Sequence, residues 1–163
     1  MTGSSLESLE KRIRRIEDQL AIYQLISAYG AFADSSSLES MQALFHTDAE
    51  MVIGGHGALK GHAGIAEAMH GPYHQMLTKN GSGHTASLPY VVIEGDRASA
   101  TLYNILFRNR DGEFIVERVA AGRWEFIRSL AGWKILKKTT EPMFGTNEKA
   151  QKVLTQIDQI SAD

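Results

Sequence analysis

The second half of the chain is an almost unbroken succession of strand-forming runs, and this limits the fold more than any other feature. His84 to Glu94 carries Thr85, Tyr90, Val91, Val92 and Ile93, and Gly95-Asp96 then turns. Ala98 to Arg108 is a second run, closed by Arg110-Asp111-Gly112. Glu113 to Arg128 is a third, ended by Ser129 to Gly132, and Trp133 to about Thr140 is a fourth. β-Branched and aromatic side chains suit a pleated surface, while Gly and Asp turn the chain back. Long consecutive strands joined by such short turns predict an antiparallel meander.

The first half is helical. Leu6, Leu9, Ile13, Ile16 and Leu20 are spaced three, four, three, four, a short a/d seam, with Lys11, Arg12, Arg14, Arg15, Glu17 and Asp18 on the other faces. Two heptads are too few for an independent coiled coil, so the seam is expected to pack on its own domain or, failing that, on a neighbouring subunit. The pattern runs on from Gln19 to about Ala33, weakened only at Gly30. Ser36-Ser37-Leu38-Glu39 has the form of a capping box and predicts a helix ending near Phe45. Met51-Val52-Ile53 reads as a short strand stopped by Gly54 and Gly55, with a return over Gly57 to Gly61. Ile65, Met69 and Met76 have helical spacing, broken by Gly71-Pro72, and Lys79 to Gly83 reads as a loop. A C-terminal helix is expected over Asn147 to Ile160.

Helices first and strands afterwards is the order of an α+β fold. The expectation is one domain over 1–163: a cone-shaped, curved, mixed but mostly antiparallel sheet, with N-terminal helices covering its concave face. A pocket would lie between the first helix and the sheet.

Composition narrows the partners. A formal charge of −2 over 163 residues gives no basic excess to hold a phosphate backbone, so nucleic acid is not expected as a partner. There is no cysteine, hence no disulfide, thiolate nucleophile or thiolate metal site. The start MTGSSLES lacks the apolar segment of a secretory signal, and no run approaches the roughly 18 apolar residues of a membrane span. A cytoplasmic protein without membrane association is expected.

Leu25, Tyr29 and Phe32 share one helix face, with Ile22, Ile26 and Ala33 beside them, so a phenol points into a core. Asp34 ends that helix. Alone, it is as readily a cap or Asx turn, and Tyr29 a core tyrosine. His84 opens the first long strand after a Gly-rich loop, where a strand holds it near a pocket mouth. A carboxylate on one ring nitrogen fixes the tautomer and raises the basicity of the other. Asp34 is the natural orienter, and Tyr29 a donor to a carbonyl or a departing hydroxyl. His70 and His74 stand at i, i+4, but Gly71 and Pro72 between them spoil a zinc-binding helix. With His46, His56 and His62 they read as loop or surface histidines, so no metal is expected.

These residues resemble the SnoaL-like branch of the nuclear transport factor 2-like superfamily, which includes scytalone and bile-acid dehydratases and hexachlorocyclohexane dehydrochlorinase. The resemblance covers roughly Leu9 to Phe144. It is carried by Ile22-Tyr23-Gln24-Leu25 through Tyr29 to Asp34, Leu44-Phe45-His46-Thr47-Asp48-Ala49, Gly61-His62-Ala63-Gly64-Ile65, the Gly83-His84 strand start, and Gly122-Arg123-Trp124 followed by Gly132-Trp133-Lys134-Ile135.

What the resemblance implies is a curved α+β cone and a cofactor-independent, dehydratase-like lyase acting on a small hydrophobic or aromatic substrate. Tyr29, Asp34 and His84 map onto the dehydratases' pocket residues. Where scytalone dehydratase has a second histidine this chain has none after His84, so the acid is unassigned, with Arg108, Asn104 or Asn109 near the corresponding position. Arg108 would bind an oxyanion rather than donate a proton. Tyr103, Phe107 and Phe144 are expected to line the pocket, with Glu141 to Phe144 closing it. An isomerase or cyclase using the same base and a non-catalytic binding module are the alternatives. The open sheet leaves an apolar convex face, for which a homodimer or homotrimer is expected.

Overall fold

The computed structural model describes residues 3–54, 57–146 and 148–160. The order is α1 (Gly3–Asp34), α2 (Leu38–Leu44), β1 (Phe45–Ile53), β2 (Ala58–Lys60), α3 (Gly61–His70), α4 (Pro72–Asn80), β3 (Ser82–Ala86), β4 (Tyr90–Glu94), β5 (Arg97–Arg110), β6 (Glu113–Ser129), β7 (Gly132–Pro142) and α5 (Glu148–Thr155). No helix among the described residues is long and apolar enough to cross a membrane.

One curved, unclosed sheet runs β2-β1-β7-β6-β5-β3, with β4 also on β5. Among the described residues only the β1–β7 pair is parallel. The expected α+β cone is what forms. The run from His84 to Glu94 is two strands instead of one: Ala86 lies opposite Asn104 and Tyr90 opposite Thr101, with Ser87-Leu88-Pro89 between. Proline has no N–H for the ladder, and the chain leaves and rejoins the same edge of β5 around it.

The core lies where α1 to α3 meet the concave face: Ile22, Ile26 and Ala33 of α1 pack in one buried cluster with Met41, Phe45, Ile65, Trp124, Phe126 and Ile135. Asp18 anchors the middle of α1, accepting from both terminal nitrogens of Arg128 (2.8 and 2.7 Å) and from Trp133 Nε1 (3.0 Å). Up to and just past that anchor the expected own-domain packing of the seam does not occur. Leu6, Leu9, Ile13, Ile16 and Leu20 are 46–58% exposed, because α1 has run past the edge of the sheet. The capping box also fails in part. Ser37 is the N-cap of α2 but makes no side-chain cap bond, its hydroxyl meeting that of Ser35 at 2.8 Å instead.

Two register shifts bear on the site. Leu106 pairs with Arg118 but Phe107 with Val116, and Trp124 pairs with Lys138 but Phe126 with Ile135. An extra residue in one strand reverses its alternation from that point on. Trp133 and Ile135 therefore share the buried side of β7 with Lys138 and Thr140. On the convex side, α5 packs Ala150 and Val153 against Ala121 and Met143. Arg123 donates to the carbonyls of Gln156 and Gln159, and Ser99 to that of Gln159, so the chain's own C-terminal segment covers part of the convex face. The C-terminal helix is shorter than expected, and Asn147, where it was to start, lies outside the described residues. Gly55 and His56 do too.

Candidate active site

Between α1, α3, α4 and the concave face lies a cavity of about 1000 Å³. Most of its wall is apolar, including Ile26, Ile65, Met69, Leu77 and Leu106. At one end α1 and β3 come together: Asp34 Oδ1 is 2.6 Å from His84 Nδ1, and Asp34 Oδ2 accepts from the His84 backbone N–H at 2.7 Å. Ser82 Oγ donates to Asp34 Oδ1 at 2.6 Å. The carboxylate is thus held at three points and orients the ring. With Nδ1 engaged, Nε2 is the nitrogen left to accept a proton. Burial opposes the Asp34 charge, but the hydrogen bonds from Ser82 and His84 outweigh it and its pKa falls below the usual carboxylate value. Burial also lowers the pKa of His84, against the raising effect of Asp34 and with the help of the Lys138 and Arg118 charges. The ring is accordingly neutral at pH 7.

Gly30 makes this approach possible. A Cβ on Gly30 would lie 2.2 Å from the His84 carbonyl oxygen, closer than a Cβ can stand, and the atom it meets is backbone rather than the end of a flexible side chain. The residue that weakens the helix is the one that lets it touch β3. Gly30→Ala is expected to push α1 off β3 by about 1 Å, lengthen the Asp34–His84 contact and lower kcat/KM about 10²-fold, despite a helix propensity gain of about 1 kcal/mol. Loss of the downfield His84 Nδ1–H proton resonance in the variant reports the broken contact, and its retention would refute the account.

Tyr29 lines the cavity edge-on to Trp124, ring centroids 5.1 Å apart, and burial pushes its phenol up to about 12, so it is a donor at neutral pH. Four other expected lining residues are elsewhere. Tyr103 and Phe107 alternate away from Leu102, Asn104 and Leu106 on β5, and Tyr103 is largely exposed. Arg108 is turned to Glu117, Nε to Oε2 3.1 Å. Phe144 is 74% exposed, and its neighbour Met143 packs on the cluster beneath α5, so the segment after β7 does not close the pocket.

The structure adds residues that the sequence reading missed. Lys138 is 5% exposed, with Nζ over the Tyr29 and Trp124 rings (4.7 and 5.3 Å) and donating to Thr140 Oγ1 at 3.0 Å. Burial and the Arg118 charge lower its pKa to about 7. Arg118 and Asn104 also line the cavity. His74, read as a loop or surface histidine, is a wall residue: its ring centroid is 6.1 Å from that of His84, and its buried Nε2 has no partner among the described residues. Burial and the nearby His84 lower its pKa. His70 ends α3 while His74 is in α4, so the i, i+4 pair shares no helix face. No cluster of three or more metal-ligating side chains occurs among the described residues.

None of the curated proteins compared with the chain matches it. Solved structures do. An NTF2-like protein with a cystatin-like fold from Novosphingobium aromaticivorans is 35% identical, with a TM-score of 0.88 over 91% of this chain and 96% of that one. Hexachlorocyclohexane dehydrochlorinase LinA-type3 from Novosphingobium barchaimii is 18% identical, with a TM-score of 0.72 over 82% of this chain and 91% of its own. A type 2 form of the same enzyme is 19% identical, with a TM-score of 0.73 over 82% and 90%. Residues 14–139, which hold α1 from before its anchor, the dyad and all of the sheet but the end of β7, match the SnoaL-like domain, and the chain belongs to that family.

Proposed function

We propose that the protein is a cofactor-independent lyase of dehydratase type, acting on a hydrophobic ring-bearing small molecule. The observation that carries this is the 2.6 Å contact of Asp34 with His84 Nδ1 at the end of an otherwise apolar cavity. His84 Nε2 takes the proton from a carbon next to a carbonyl, Asp34 stabilises the imidazolium, and Tyr29 donates to the carbonyl oxygen as charge grows there. The C–O bond on the adjacent carbon then breaks. The imidazolium returns its proton to the departing hydroxide, so water leaves and the site is restored. Neighbours on this fold whose names describe eliminations, the dehydrochlorinases, support the reaction class.

The test uses 2-tetralone, a bicyclic ketone with acidic α-hydrogens, in D₂O. The protein is expected to speed α-hydrogen exchange, followed by proton NMR. No acceleration over buffer, repeated with a β-hydroxy ketone of similar ring size, would reduce the cavity to a binding module. With the β-hydroxy ketone in H₂O, a product lighter by one water marks a lyase, and a new product of unchanged mass an isomerase.

We further propose that the seam of α1 pairs with that of a second copy. Every residue from Ser5 to Glu17 is exposed, so this part of the helix stands free of its own domain. With Leu6, Ile13 and Leu20 at a and Leu9 and Ile16 at d, Glu10 and Glu17 fall at e and Arg12 at g. A parallel pair sets Arg12 against Glu17 of the other copy, whereas an antiparallel pair would oppose like charges. The short seam suffices because Ile22 to Asp34, fixed in the domain, already nucleates the helix. Sedimentation is expected to give a dimer, and Ile13→Asp with Ile16→Asp a folded monomer. A trimer, or a dimer that survives both changes, would refute the pairing.

A further inference from the structure

Along the sheet from His84, the cavity wall carries unpartnered hydrogen-bond donors and positive charge. Trp124, 1% exposed, points an indole N–H into the interior with no acceptor among the described residues, and the amide nitrogen of Asn104 is likewise unpartnered. Gly122 makes room for that amide, since a Cβ there would stand 2.1 Å from Asn104 Nδ2. Arg118 has no ion-pair partner among the described residues, and its charge is felt at Tyr29, His84 and Lys138. Lys138 has one neutral partner, Thr140. These groups are neighbours on the central strands: Asn104 lies opposite Ala120, Arg118 opposite Leu106, and Trp124 opposite Lys138.

Four donors, two of them cations, without a carboxylate are an incomplete site. Asp34 has both oxygens committed to Ser82 and His84, and Glu67 is exposed at the rim. Unpaired buried donors and charges are costly, and what would satisfy all of them is an anionic oxygen group brought by the ligand. We propose that the cavity takes an apolar ring compound bearing an oxyanion, a carboxylate or an acidic enol, whose oxygens lie against Lys138, Arg118, Trp124 Nε1 and Asn104 Nδ2. The apolar wall takes the ring. This rests on the reading of the cavity as the substrate site and names the substrate class, and it is tested by binding alone, so its outcome is separate from that of the exchange assay.

The probes are 2-naphthoate and its uncharged isostere 2-naphthamide, titrated by calorimetry at pH 6 and low salt. The wild-type protein is expected to bind naphthoate at least ~10-fold more tightly, as a desolvated charge-assisted contact allows. Lys138→Met is expected to reduce that preference to about threefold or less, and Lys138→Arg to keep it. The groups facing Lys138 are Tyr29 from α1, Arg118 and Trp124 from β6, Thr140 on its own strand and His84 from β3. On β1 its neighbour is the apolar Met51. Of these only Lys138 changes charge near pH 7, His84 titrating lower, so naphthoate affinity should be full below about pH 7 and fall above it. Equal affinity for the two probes, or a preference unchanged in a Lys138→Met protein whose circular dichroism is that of the wild type, would overturn the proposal.

Discussion

Replacing His84 by alanine is expected to lower kcat/KM for α-hydrogen exchange of 2-tetralone about 10³-fold, within the 10² to 10⁴ that a positioned general base supplies. The loss should fall on kcat more than on KM, because the ring meets the substrate through a proton that moves only in the transition state. Asp34→Asn tests a different link. Its amide keeps one acceptor where the carboxylate has two, although three donors converge on them: Ser82 Oγ, the His84 backbone N–H and His84 Nδ1. The amide also presents a donor toward the ring, which favours the wrong tautomer, so a loss of about 10² to 10³ is expected. Its pH profile distinguishes orientation from general damage. His84 already titrates below 6.5 because burial outweighs the raising effect of Asp34. Activity therefore rises with pH through a value under 6.5, and removing the carboxylate should move that acid limb lower still. Both variants within threefold of wild type would remove the dyad from the chemistry, as would an acid limb that shifts upward in Asp34→Asn.

The dyad and the meander were legible in the sequence because each rests on local signals. Turn residues at Gly95-Asp96, Arg110-Asp111-Gly112 and Ser129 to Gly132 mark the strand ends, and a helix that ends on Asp34 can face only what the adjoining sheet brings to it. The polar end of the cavity was not legible, for a reason of parity. Counting alternately from Trp133 and Ile135 puts Lys137 inside and Lys138 outside. The irregularity between Glu125 and Phe126 reverses this, so Lys138 is buried while Lys137 pairs with Glu50 at 3.4 Å. On β5 plain alternation from Leu106 turns Phe107 away, and the β5–β6 irregularity leaves Glu117 as the extra residue of β6, where it pairs with Arg108. A bulge leaves no fixed residue type behind, whereas a turn leaves glycine. The fate of the α1 seam was open for another reason. Heptad spacing tells which face is apolar, but not whether the helix has already run past the domain that would cover it.

Lys138→Met is expected to stabilise the ligand-free protein, and the gain should depend on pH in a way that identifies its cause. In the folded chain the ammonium is buried beside the Arg118 charge with no carboxylate, and its pKa falls from 10.5 to about 7. Between those values the unfolded chain binds one more proton than the folded one, so wild-type stability rises with pH across that window. Below about pH 7 both states are protonated and the destabilisation by Lys138 is at its full extent. Above about pH 10.5 both are neutral and it vanishes. Methionine fills a similar volume without charge, so the variant should gain on the order of a few kcal/mol at pH 6, less at pH 8 and little at pH 10. Two smaller terms act against it at every pH where the amine is charged: the attraction of Nζ to the Tyr29 and Trp124 rings, and the bond to Thr140 Oγ1. Urea unfolding of both proteins at these three pH values measures the difference. A gain that is constant with pH would mean that packing rather than the ammonium sets it, and a loss at pH 6 would mean that Lys138 has a counter-charge in the folded protein. The expected pattern has a functional corollary, because an anionic ligand that pairs with the Lys138 ammonium removes the same destabilisation. Naphthoate should therefore raise the unfolding midpoint of the wild type at pH 6 more than that of Lys138→Met, and naphthamide should affect the two alike.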